Sequence, residues 1–120
     1  MPLYKSILGA FLVLAAAAHA QQAQCPSNQG NQPLARVSVF DGPPAQHADL
    51  APDDQKGSGD HLYLTWEIAY LFAMGHDVFL VCRYSPTADE PSMTIKLDKN
   101  VRKCIFRSHG SGHPAEAECK

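Results

Sequence analysis

Apolar and polar positions alternate through most of the second half of the chain. In VFLVCRY (78–84), Val78, Leu80, Cys82 and Tyr84 fall on one face, and Phe79, Val81 and Arg83 on the other. A run this rich in β-branched and aromatic residues reads as a buried strand. SMTIKL (92–97) points Met93, Ile95 and Leu97 inward and Thr94 and Lys96 outward. VRKCIFR (101–107) sets Cys104 and Phe106 opposite Lys103, Ile105 and Arg107. PAEAECK (114–120) sets Ala115, Ala117 and Cys119 opposite Glu116, Glu118 and Lys120. The short turns SPTADEPS, DKN and SHGSGH join these four runs. Short connections cannot link parallel strands, so the pattern predicts an antiparallel meander. In the last three runs one mostly apolar and one mostly charged face imply a sheet with one wet side.

The earlier half is less regular. LARVSVF (34–40) alternates Val37 and Val39 with Ser38 and Phe40 and predicts a short strand. In HLYLTWEIAYLFAMGHD (61–77), Leu62, Leu64 and Trp66 alternate with Tyr63 and Thr65. This predicts a strand over 62–69 that enters a hydrophobic turn, with Trp66 in the core. The alternative is a short helix within 66–74 ended by Gly75, since periodicity does not separate the two for a brief apolar run. DGPPAQHADLAPDDQKGSGD (41–60) reads as a long loop, with Asp-Gly and Pro-Pro turn signals and a flexible Gly57-Ser58-Gly59 tract. QQAQCPSNQGNQP (21–33) is polar and reads as an extended arm pinned at Cys25.

The first twenty residues change the setting of all this. MPLYK, the apolar run SILGAFLVLAAAA and the small residues of AHA form a secretory leader, with cleavage expected after Ala20. The apolar run is too short for a comfortable membrane crossing, so no stable span is expected after cleavage. Gln22 and Gln24 before Cys25 do not suit lipid attachment. The expected organisation is a signal peptide at 1–20, an extended arm at 21–36, and one small β domain at 37–120 carrying the acidic loop 41–60. The fold class is mainly β: a small antiparallel sheet or meander of about five to six strands with two disulfides.

An exported domain of this size has a marginal core, and four cysteines in an oxidising compartment read as two bridges. Folding the last two runs back about residue 111 puts Cys104 opposite Cys119 on the same face, which leaves Cys25 for Cys82. The rival pairing is Cys82–Cys104 with Cys25–Cys119.

Without the leader the chain carries nine Lys and Arg against twelve Asp and Glu, a net charge of −3. There is no clustered basic face, so a nucleic-acid partner is not expected. His109 and His113 are four apart, but Gly110, Gly112 and Pro114 argue against a helix that would aim both at a metal. A zinc site would also need Cys104 and Cys119 as free thiolates. The pairs Asp53–Asp54 and Asp89–Glu90 are adjacent in sequence and so usually point apart, and no nucleophile elbow is present. No catalytic, cofactor or metal residue is therefore assigned. The acidic loop remains, with five Asp and one Lys. Its Asp49, Asp53 and Asp54 are candidate contacts for a cationic protein partner, and its prolines lower the ordering cost of docking. The expected function is a non-enzymatic binding or inhibitor-like protein of the periplasm. The alternative is a small envelope enzyme or metal-binding protein using His61, His76, His109 or His113.

VSVFDGPPAQHADLAPDD, the Trp-bearing run, VFLVCRY and the closing VRKC…C resemble a family of small secreted bacterial proteins of unknown function. The resemblance spans most of 25–120 and implies export in Gram-negative bacteria and one small β domain. It carries no activity and no catalytic residue. The likeness to periplasmic lysozyme inhibitors is one of architecture only.

Overall fold

The computed structural model describes residues 23–84, 92–110 and 112–120. The expected leader at 1–20 and most of the expected turn at 85–92, with the Asp89–Glu90 pair, lie outside the described residues. Strands β1 (Ala23–Gln24), β2 (Asn28–Gln29) and β3 (Gln32–Pro33) precede β4 (Arg36–Asp41). A 3-10 turn (Pro44–Gln46) leads to β5 (Asp54–Ser58) and β6 (His61–Glu67). Helix α1 (Ala69–Ala73) is followed by β7 (Val78–Arg83), β8 (Ser92–Lys96), β9 (Lys103–Arg107) and β10 (Glu116–Cys119). The fold is mainly β and antiparallel, with a five-stranded sheet in the order β1-β10-β9-β6-β5, a three-stranded sheet β4-β7-β8, and the β2–β3 hairpin.

Period-two alternation accounts for the core. In the three-stranded sheet Val39, Leu80 and Ile95 lie directly across from one another, as do Val37, Cys82 and Met93. In the five-stranded sheet Leu64, Phe106 and Ala117 form one such row, and Trp66, Cys104 and Cys119 the next. These two inner faces share one hydrophobic core, to which Leu34, Ile68, Leu71, Leu97 and Val101 add. Trp66 is buried as expected, and its indole N–H donates to the Leu50 carbonyl at 3.0 Å.

Both disulfides have the favoured pairing, Cys25–Cys82 and Cys104–Cys119. Cys104 and Cys119 are directly paired across β9 and β10, so that bridge lies within one sheet. Cys25 follows β1 at the edge of the five-stranded sheet, and its N–H donates to the Ala117 carbonyl. Cys82 lies on β7, the centre of the other sheet. The first bridge therefore staples sheet to sheet.

The four strands after residue 77 do not stay together. β7–β8 forms a hairpin in the three-stranded sheet and β9–β10 one in the five-stranded sheet. The DKN turn is a crossing between sheets: Asp98 accepts from the Asn100 and Val101 N–H groups, while Leu97 and Val101 are buried in the shared core. Alternation reports which face a residue occupies, but not which sheet the next strand joins. The ambiguous 62–74 stretch resolves into both readings. β6 ends at Glu67, and α1 carries the chain across to β7. Ile68 and Ala69 donate to the Arg102 carbonyl, Leu71 is buried, and Gly75 at φ 82° ends the helix.

Two consequences for stability are measurable. On chain-entropy reasoning the bridge spanning 57 residues contributes about 4 kcal/mol and the one spanning 15 about 3. Replacing Cys25 and Cys82 by serine is expected to cost more, in urea unfolding, than replacing Cys104 and Cys119. Gly57 lies at φ 77°, and a β-carbon there would sit 1.9 Å from the His61 carbonyl oxygen. Gly57→Ala is expected to destabilise by about 2 kcal/mol or more, read as a lower urea midpoint.

Candidate functional site

The cysteine and histidine groups that suggested chemistry are dispersed. Cys104 and Cys119 are bonded to each other and offer no thiolate. His109 lies 3.3 Å from the Glu116 carboxylate at the rim of the last hairpin. His76 lies 2.9 Å from Asp41, tying the approach to β7 to the end of β4. His61 and His113 are exposed. Among the described residues no group of three or more His, Cys, Asp or Glu could hold a metal.

Residues 41–60 run along one side of the molecule, from the end of β4 to the far end of β5. After the 3-10 turn, Asp49 makes an isolated bridge to Phe40 and Leu50 donates to the Val39 carbonyl. Asp53 then donates to the Thr65 carbonyl, and the segment continues as β5, the edge strand of the five-stranded sheet. It thus fastens the edge strand of one sheet to that of the other. The carboxylates have separate roles. Asp41 faces His76. Asp53 accepts the Glu67 N–H at 2.6 Å, which gives it a structural duty. Asp54 lies 3.9 Å from Lys56. Asp49 is exposed, as is every residue of β5. Asp60 contributes through its carbonyl, which accepts from Ser108 and Gly110.

A second surface was not singled out from the sequence. On the outer face of the five-stranded sheet, Lys56, Tyr63, Arg107 and Glu116 form one row across four strands. The Arg107 guanidinium lies 5.1 Å from the centre of the Tyr63 ring and Lys56 Nζ 5.9 Å from it. The hydrogen bond from Arg107, aided by one from Thr65, holds the Tyr63 phenol below its ordinary value. The signal was present as Tyr63 and Arg107 on the wet faces of two runs. Their meeting depends on β6 pairing with β9 across more than forty residues, which no local pattern records.

Two apolar features complete the surface. A cleft of about 650 Å³ opens at one end between the sheets, with Leu34, Val37, Leu62, Phe106 and Tyr84 in its lining. Tyr84 donates to the Pro26 carbonyl at 2.8 Å, and burial pushes its phenol up. On α1 and directly after it, Tyr70 and Met74 are the exposed large hydrophobic residues among those described. No helix among the described residues is long and apolar enough to cross a membrane.

Residues 28–120 match the family model described as type VI secretion system Tli immunity protein. This corrects the resemblance to a family of unknown function. The stretches that carried it, Phe40–Pro44, Leu50–Pro52 and Cys82–Tyr84, belong to the turn after β4, the sheet crossing and the central strand. Nothing matches the chain among curated proteins or among solved structures. An immunity protein acts by binding another protein, not by catalysis, so the expected class of non-enzymatic periplasmic or secreted binding protein holds. The chain belongs to the type VI secretion system Tli immunity protein family.

Proposed function

We propose that the chain is exported on the leader 1–20 and neutralises a toxic effector delivered by a type VI secretion system. Docking is through the acidic side of the molecule formed by residues 41–60. The family match over 28–120 carries the neutralising role. The docking surface is supported by one observation: this segment is bonded to both sheets through Leu50 and Asp53, yet Asp49, Asp53 and Asp54 remain exposed. Its net charge is −4, from five Asp and one Lys. A cationic patch on the effector is the complement. An acidic surface held in place before binding speeds encounter and loses little entropy when the partner arrives.

A competition assay tests the role. Recipients lacking this chain are placed beside an attacker whose type VI system is active, and the native chain is expected to restore their survival. Unprotected recipients that survive as well as protected ones would remove the neutralising role. With the killing effector purified, Asp49→Asn combined with Asp54→Asn is expected to slow association about tenfold at low ionic strength. The difference is expected to shrink as salt rises. Asp53→Asn is expected to lower thermal stability as well, because its carboxylate accepts the Glu67 N–H. An association rate indifferent to the double substitution would rule out docking through the acidic side.

A further inference from the structure

A strand at the rim of a sheet presents unpaired N–H and C=O groups, and folds blunt such rims with shortness, charge, bulges or cover. The two larger sheets end on β1 and β5 and on β4 and β8. β1 has two residues. β5 carries no apolar side chain and includes Lys56 and Gly57 at φ 77°. β4 is covered, since Asp41 donates to the Ala48 carbonyl and Leu50 to the Val39 carbonyl. β8 differs. It runs Ser92-Met93-Thr94-Ile95-Lys96 with no Gly or Pro, and its one charge, Lys96, lies 3.8 Å from Asp77. Leu97 donates to the Val78 carbonyl at 2.9 Å, so in this register Met93 and Ile95 also bond to β7. The N–H and C=O groups of Ser92, Thr94 and Lys96 then point away from β7. Among the described residues no backbone group pairs with them.

We propose that β8 is a self-pairing edge: a second copy of this chain adds its own β8 antiparallel, about a two-fold axis at Thr94. The proposal does not depend on the effector reading. Two features of the strand argue for its own copy as the occupant. The first is register. Of the symmetric registers, the one centred on Thr94 pairs all five residues of the strand. It sets Thr94 against its own copy and Ser92 against Lys96, the residues whose backbone groups face outward, and closes about six hydrogen bonds. It sets Met93 against Ile95 on the inner face, apolar against apolar. The two Lys96 side chains stay about 14 Å apart along the strands, so no like charges face each other. The second feature is the inner face. Met93 and Ile95 are only half-buried where they pack against the core, and a neighbouring strand covers them further. The opposite rim of this sheet, β4, carries the acidic side, which a dimer through β8 does not use. Two three-stranded sheets become one across an isologous contact. Five residues a side bury less than a permanent interface does, so the dimer forms and dissociates with concentration.

Sedimentation velocity of the native chain, purified with both disulfides formed, tests this over about a hundredfold range of concentration. The average mass is expected to rise from monomer toward dimer. Thr94→Pro removes an outward N–H that no described residue accepts, and is expected to weaken self-association about tenfold or more. Thr94→Lys and Thr94→Glu each set like charges opposite at the two-fold axis, and each is expected to stay monomeric. An equimolar mixture of these two variants is expected to dimerise, because opposite charges then meet. Melting temperatures within a few degrees of native separate these losses from unfolding, and the charge variants serve if the proline variant does not fold. A native chain that stays monomeric throughout the range would overturn the proposal. If Thr94→Pro then weakened binding of the purified killing effector, the edge would belong to the effector instead. A dimer that survives both Thr94→Pro and Thr94→Lys, or a charge mixture that stays monomeric, would also overturn it.

Discussion

The Cys25–Cys82 bridge joins an edge of the five-stranded sheet to the middle strand of the other sheet. Neither sheet is self-sufficient. The three-stranded sheet buries Val39, Leu80 and Cys82 against its partner, and a domain of this length has little other apolar surface to spend. The bridge fixes that face-to-face arrangement in covalent form, where hydrophobic burial alone would leave the domain near its stability limit. Three noncovalent crossings act with it. Residues 48–53 tie the two edge strands together, α1 passes from β6 to β7, and residues 97–102 return the chain from β8 to β9. Leu50, Leu71, Leu97 and Val101 pack into or against the same core from these crossings. The second bridge lies within one sheet and holds the β9–β10 hairpin.

Rigidity of this kind bears directly on the work of an immunity protein. Such a protein must recognise one effector and hold it, and affinity is lost whenever a binding surface has to be ordered first. The acidic side is no free loop. Its backbone is bonded to Val39 on one sheet and to Thr65 on the other, and two of its carboxylates hold internal groups, His76 and the Glu67 N–H. The Asp41 and Asp53 carboxylates are therefore fixed in space by the same contacts that close the molecule. The outer sheet face is equally fixed, because strand pairing sets the spacing of Lys56, Tyr63 and Arg107.

Much of the fold was legible in the residues. Strict alternation assigned Val78, Leu80, Cys82 and Tyr84, and later Ala115, Ala117 and Cys119, to the buried face, and all seven are buried. The same alternation, applied across a glycine turn, brought Cys104 opposite Cys119. The site was less legible. Asp53 read as a free charge, but its carboxylate caps a backbone N–H that is distant in sequence. Alternation places Arg107 on the wet face but gives no sign that it meets the half-buried Tyr63. The resemblance read from turns and strands pointed to a family of unknown function, whereas residues 28–120 match the Tli immunity protein family.

Residue pattern alone determined the mainly β antiparallel class, the inward faces and the facing of Cys104 to Cys119 across the last turn, because these follow from a two-residue period and from a short hairpin. The structure decided between the two cysteine pairings that the sequence left open. Tertiary structure decided how the strands divide between two sheets, that Glu67 ends a strand and Ala69 begins a helix, and that Arg107 lies over Tyr63. Each of those outcomes depends on which distant segments meet. A strand carries the same alternating signal whichever sheet it joins, so only the shared core, once assembled, selects the partner.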